Sequence, residues 1–321
     1  VRDLVVHDDD LVVATHGRSF WIMDDVTTLR QIDTLHPPAA PVFYAPQSAV
    51  RVRRDTNTDT PLPPEESVGQ NPPDGAIFDY ELTRPAANVE LQITDGAGRL
   101  VRRYASTDLA PQDAPLEIPS YWVAPFTSLA TTSGMHRFVW DLHAATPLAA
   151  EHEYPISAIE HATPREPLGP LVPPGPYRAT LIVDGAREDQ TFTVEGDPRV
   201  SATAADYARQ YDLAMQIAGL MDACGEASAS EAAMRAKFSI APAGTSAAAQ
   251  AVAADLAALA LPATNLAGAN ERLAALLGSV ESADAAPTAA QVAAFATLAS
   301  DARRALAIFE RLREYDLPAL K

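Results

Sequence analysis

The 321 residues are 47% apolar and 21% charged, with 24 basic against 42 acidic side chains and a formal charge of −18. At roughly 100–200 residues per domain this is enough for two or three domains, each with its own core, and too hydrophobic for wholesale disorder. Such a surface repels polyanions, and no window approaches the roughly 18 uninterrupted apolar residues of a membrane span, so neither nucleic acid nor membrane insertion is expected.

In chain order, Val1 to His7, Asp10 to Thr15 and Ser19 to Met23 are β-rich runs. Polar turns at His7-Asp8-Asp9-Asp10 and His16-Gly17-Arg18 separate them, which predicts a three-stranded meander. Three short strands rich in Val, Phe, Trp and Ile leave an apolar face and edge unless neighbours cover them, so further strands N-terminal to them are expected. Asp24-Asp25 before Val26 to Arg30 suits the start of a short helical turn, where a carboxylate accepts from free backbone amides. From Pro37 to Pro73 the prolines describe a wrapping linker, with only Val42 to Tyr44 and Val50 to Arg53 strand-like.

Alternation resumes in Ala76 to Leu82, Val89 to Thr94 and Leu100 to Ser106, the last two joined by the hairpin signal Asp95-Gly96-Ala97-Gly98. Met135 to Leu142, Tyr177 to Val183 and, after Asp184-Gly185, Gln190 to Val194 complete six strands, best arranged as a small antiparallel sandwich. Pro-rich insertions at 110–133 and 144–174 are expected on the surface. Past Asp197-Pro198 the composition turns to alanine and the period to about 3.6. Thr203 to Asp206 has capping-box spacing, and Tyr207, Tyr211, Ala214, Met215 and Ala218 trace one face of a first long helix. Gln250 to Leu261 and Ala269 to Leu277 predict two more. Thr288 to Gln291 opens a last helix that buries Phe295, Leu298, Ala302, Leu306, Phe309 and Leu312. The last third is thus a helical bundle.

The run from Asp10 through Thr15-His16-Gly17-Arg18-Ser19-Phe20-Trp21 to Asp25 resembles the final propeller blade of large bacterial BNR-repeat proteins, often labelled sortilin-like or glycosyl-hydrolase-like. Asn71 to Gly75, Arg137 to Asp141, Pro174 to Tyr177, Asp197 to Arg199 and Gly278 to Thr288 are similar to the region that follows such a propeller. The strands of 76–196 also resemble the Ig-like domain of flagellar-hook capping proteins, a likeness of fold. The resemblance implies a mixed multi-domain chain: a last-blade meander remnant (1–36), a Pro-rich linker (37–75), an Ig-like antiparallel β-sandwich (76–196) and an α-helical bundle (197–321). It further implies a secreted or periplasmic parent whose upstream propeller is this chain's partner and carries any catalysis. The expected role is that of a non-catalytic accessory segment without a cofactor. The alternative is a contribution to a carbohydrate-active site shared with the propeller.

For that alternative the candidates are Arg18, Trp21 and Asp24, since Trp stacks on sugars and Arg and Asp bind hydroxyls. Structural roles compete: Trp21 as packing, Gly17-Arg18 as a turn, and one of Asp24 and Asp25 as a cap. Glycoside hydrolysis needs two convergent carboxyl groups, and adjacent strand residues point to opposite faces. His136 and His143 flank Asp141, but strand parity puts them on opposite faces, short of the three or four ligands of a zinc site. Asp8-Asp9-Asp10 reads as a solvated turn, and Cys224, the one cysteine, as a packing residue. No nucleophile elbow and no glycine-rich phosphate loop occurs.

Overall fold

In the computed structural model, residues 1–53, 59–111, 116–238 and 247–316 are described. Parts of the expected linker (54–58), first insertion (112–115) and bundle (239–246), together with 317–321, lie outside the described residues. The chain is a mixed fold of three sheets and, among the described residues, four α-helices. It divides into two compact units. One comprises Val1–Ala145, Ile156–Pro164 and Val172–Ser201; the other comprises Thr146–Pro155, Arg165–Leu171 and Ala202–Lys321.

The first unit opens with β1 (Asp3–His7), β2 (Asp10–Ala14) and β3 (Phe20–Met23), an antiparallel ribbon in which Val5, Val12 and Ile22 share one row. The expected helical turn follows at Thr28–Arg30. Then come β4 (Val42–Phe43), β5 (Ala49–Arg51), β6 (Ala76–Leu82), β7 (Val89–Asp95), β8 (Leu100–Ala105), β9 (Gly134–Trp140), β10 (Gly175–Val183) and β11 (Ala186–Gly196). They form two sheets, β4-β6-β9 and β5-β11-β10-β7-β8, the second mixed because β5 runs parallel to β11. The strands inside the expected linker are therefore sheet members, completing one sheet at β4 and the other at β5.

Two turns set the register of the larger sheet. Asp95 Oδ1 accepts the amides of Ala97 and Arg99, both at 2.9 Å, closing the β7–β8 hairpin. Asp184 (φ 49°) and Gly185 (φ 90°) make the two-residue turn whose twist matches a hairpin, and nine residue pairs of β10 and β11 follow in unbroken register. Pairing of this length carries β11 back to Ala186, beyond its apolar core of Phe192 and Val194.

The two sheets face each other across an aromatic seam. Phe78 meets Phe192 at 5.2 Å, Trp140 meets Tyr177 and Phe192 at 5.9 and 6.2 Å, and Tyr104 meets Phe138 at 4.7 Å, all tilted or edge-on. Alternation explains the inward set, with Val89, Leu91 and Ile93 of β7 and Tyr177, Ala179, Leu181 and Val183 of β10 all buried. Trp140 is fully buried, and its indole N–H donates to the His143 carbonyl at 2.8 Å. Gly75 lets β6 start against it: at φ 127°, a Cβ there would fall 1.9 Å from the Trp140 carbonyl oxygen.

The second insertion is not a surface loop throughout. Pro147, Ser157, Thr163, Leu171 and Val172 are buried, and Val172 donates to Leu142 at 2.9 Å. Its small residues between prolines have no strand or helix period, so sequence alone marks no inward side.

The second unit holds α1 (Ala204–Phe238), α2 (Ala247–Leu259), α3 (Leu266–Val280) and α4 (Ala289–Arg311). Both expected caps form. Thr203 and Asp206 exchange side-chain and backbone bonds, which with Arg209 hold the Asp206 carboxyl down at about 2, and Thr288 and Gln291 make the reciprocal box of α4. The buried stripe of α1 is Ala214, Ile217, Met221 and Cys224, while Met215 stands 42% exposed. One residue on a helix is a 100° step, enough to move Met215 off the expected face. Replacing Trp140 by Ala is expected to cost about 3–5 kcal/mol in urea unfolding of the whole chain, as removal of a buried indole does elsewhere.

Candidate functional site

A sheet with one face in water alternates apolar and polar residues, and one covered on both faces is apolar throughout. The ribbon follows the second pattern. Leu4, Val6, Leu11, Val13, Trp21 and Met23 share one face by parity, and Val5, Val12, Phe20 and Ile22 the other. Yet Phe20 is 72% exposed, Trp21 64% and Ile22 60%, and every residue of β1 and β3 is exposed. Both faces and both outer strands thus offer apolar surface, the feature most in need of a functional explanation.

The ribbon is anchored at one end. Beyond β3, the Asp25 amide donates to Asp10 Oδ1 at 3.0 Å and the Val26 amide to the Asp9 carbonyl at 2.7 Å, while Arg30 pairs with Asp9. The turn is then clamped by Arg137 of β9. Its Nε and Nη2 grip both oxygens of Asp79 on β6, each at 2.8 Å, and Nη1 and Nη2 donate to the Asp24 and Asp25 carbonyls at 2.7 and 2.9 Å. The Thr28 hydroxyl adds a bond of 2.7 Å to Asp79. Asp79 is buried, so its charge is stabilised by the guanidinium fork and this hydroxyl. Sequence reasoning missed this pair. The available signal was a lone Asp in the apolar run Ala76 to Leu82 and a lone Arg within Met135 to Leu142, two β-segments that could pair.

Of the three sequence candidates, Arg18 and Trp21 meet, but through the backbone: the Trp21 indole donates to the Arg18 carbonyl at 3.1 Å across the β2–β3 turn. Asp24 lies beyond the other end of β3, three residues and about 10 Å along the chain, with its carbonyl held by Arg137. The helical turn Thr28–Arg30 has Thr27 at its N-cap and no side-chain cap, so neither Asp24 nor Asp25 caps it; Asp25, at φ 54°, instead accepts the Thr27 amide at 2.9 Å just before the turn. Burial pushes its carboxyl above the ordinary value, while the Thr27 amide and Arg137 pull the other way.

His136 bonds the Thr132 carbonyl at 2.6 Å and lies against Tyr80, and His143 bonds the Asp141 carbonyl at 2.8 Å. Among the described residues no group of three or more His, Cys, Asp or Glu side chains converges as metal ligands would. Asp8 turns the β1–β2 hairpin at φ 51°, Asp9 pairs with Arg30, and Asp10 accepts Asp25. Burial pushes the Cys224 thiol up to about 11, so it stays protonated at neutral pH. No helix among the described residues is long and apolar enough to cross a membrane.

No protein-family model and no curated protein matches the chain. Among solved structures, dimeric latent PorU from Porphyromonas gingivalis aligns with 59% of this chain and 12% of its own at 15% identity, with a TM-score of 0.20. A likeness at that level carries no argument about fold or activity.

Two outcomes follow from the clamp. Arg137→Met leaves Asp79 buried without its cation and is expected to cost about 3 kcal/mol, with faster hydrogen exchange at the Val26 amide; most of the loss returns in the Asp79→Leu/Arg137→Met double variant. Asp25 holds its proton more tightly folded than unfolded, so its contribution to stability is full below the ordinary carboxylate value and is lost as pH rises through the raised one. Asp25→Asn keeps an acceptor for Thr27 and removes that loss. Its stability relative to wild type should therefore rise as the pH climbs above the ordinary carboxylate value of about 4 in urea titrations; a difference independent of pH would contradict this.

Proposed function

We propose that the chain is a non-catalytic accessory region of a secreted or periplasmic BNR-repeat propeller protein. In this reading β1, β2 and β3 belong to the last blade, the two facing sheets are an Ig-like sandwich, and the helices are a bundle that braces the assembly. The observation that carries it is the ribbon's apolar character on both faces together with its exposure. A blade in a closed propeller has a neighbouring sheet on each face, whereas an outlying hairpin needs only one apolar side. The clamp supports the same reading, because a four-donor grip at the ribbon's exit suits a joint that must hold a propeller in place. The residue likeness from Asp10 to Asp25 supplies the family, and no cofactor is invoked.

The test compares this chain alone with a parent that includes the propeller repeats. Phe20→Lys and Ile22→Lys together should reduce dye binding and self-association of the chain alone while leaving its melting temperature within a degree or two. The same pair in the parent should lower the melting temperature by several degrees, because charges then enter a packed interface. An unchanged parent would end the blade reading. Trp21→Ala in the parent separates the alternative: loss of sugar turnover at constant melting temperature would make Trp21 a ligand contact.

A further inference from the structure

The helical unit includes a stretch of chain that is not helical. Thr146–Pro155 belongs to it, and Pro147 to Ala149 crosses the seam between α1 and α3 without helix or turn, up to a bend at Ala150. The contacts there are main-chain contacts read by side chains. The Leu148 amide donates to Asp222 Oδ1 of α1 at 2.8 Å, and its carbonyl accepts from Asn270 Nδ2 of α3 at 2.7 Å. Two residues on, the Ala150 amide donates to Asn270 Oδ1 at 2.8 Å. Asn270 is fully buried, and its remaining amide hydrogen goes to the Met221 carbonyl at 2.8 Å. One side-chain amide thus closes a two-point grip on an extended backbone, as a neighbouring strand would.

Side chains alternate along this segment. Pro147 is buried and Ala149 packs on the helical core, while Leu148 between them is 49% exposed. The floor is Gly225 of α1, where a Cβ would stand 2.8 Å from the Leu148 Cβ. That glycine has an ordinary helical backbone, and helices disfavour glycine by about 1 kcal/mol, so close approach of the strap is what explains it. An antiparallel bridge fastens the far end, with the Glu153 and Glu166 amides and carbonyls exchanging bonds of 3.2 and 2.9 Å.

We propose that the α1–α3 seam is a peptide-binding groove, occupied in cis by residues 147–150. Its ligand class is an extended peptide with small apolar residues at alternate positions and a free choice between them. A segment in trans binds when the strap lifts, and the strap is its built-in competitor. The tether gives the strap an effective concentration of about 1 mM, which sets the threshold a competitor must pass.

The probe is a fluorescently labelled peptide copying residues 145–154, titrated into the full chain. An opened chain, Ala149→Asp with Ala150→Pro, is expected to bind it saturably and at least tenfold more tightly than the intact chain. An Ala149→Asp peptide should lose at least tenfold, a Leu148→Ser peptide only a few-fold, and Gly225→Leu in the opened chain should abolish binding. An opened chain that retains its helical circular dichroism but ignores the peptide overturns the proposal. Should the opened chain unfold, the intact one decides by hydrogen exchange: peptide at about 1 mM must speed exchange at Leu148 and Ala150 about fivefold or more, and unchanged rates overturn the groove.

Discussion

The fork between Arg137 and Asp79 is the constraint on which the first unit depends. Two carbonyls and one hydroxyl from the turn at Asp24, Asp25 and Thr28 meet the Arg137 guanidinium and the Asp79 carboxylate, so that three separate stretches of chain join at one ion pair. Either charge alone on that face of the sheet would be costly, since a buried ion without its partner loses several kcal/mol of solvation. Together they make the outer face of β6 and β9 selective. An apolar residue at either position would accept any greasy neighbour, whereas the fork accepts only a turn that presents carbonyls at the spacing of Asp24 and Asp25. The ribbon's position relative to the facing sheets is fixed by directional bonds, not by hydrophobic contact. That is consistent with the exposure of every apolar side chain of β1 and β3, those of β2 being half-buried between them.

This arrangement separates two tasks that usually coincide. In the facing sheets, apolar residues both drive folding and set orientation, through the seam around Trp140 and Phe192. In the ribbon local pairing and polar anchoring hold the strands, and the apolar side chains of β1 and β3 stay exposed. Three strands of four or five residues bury too little to be stable alone, so the ribbon's order rests on the anchor.

Legibility in the sequence tracks contact distance along the chain. The hairpin at Asp95, the turn at Asp184-Gly185 and the boxes at Thr203 and Thr288 rest on bonds spanning two to four residues, and each was readable from residue type and spacing. The sheet edges were not. Pairing of β5 with β11 is parallel and joins Ala49 to Val194, a match that no local period announces. The candidate site divides the same way. The turn under Trp21 was legible, and so was a helical turn after Asp24-Asp25, though not its lack of a side-chain cap, whereas the clamp crosses 58 residues from Asp79 to Arg137 and its members stand in sequence beside other polar residues of their strands, Glu81, His136 and Asp141. Asn270 gave less still, because a lone Asn on a helix is usually a surface residue and its partners lie between 49 and 122 residues away.

The helical unit shows why such a distant contact arises. Its core includes Ala214 and Ala227 of α1, Ala269 of α3 and Ala302 and Ala305 of α4 among larger residues, and these alanines let helices approach closely but bury little area each. Helices packed on alanine have two ways to gain more: larger side chains, which push the axes apart, or added chain laid across the seam. Gly225 and Ala149 mark the second route, with main-chain atoms filling space a leucine would otherwise take. Main chain brings unsatisfied amides and carbonyls with it, and a buried one costs about as much as the packing gains unless it is bonded. Asp222 and Asn270 supply those bonds, so the polar residues at the seam follow from the alanines beside them.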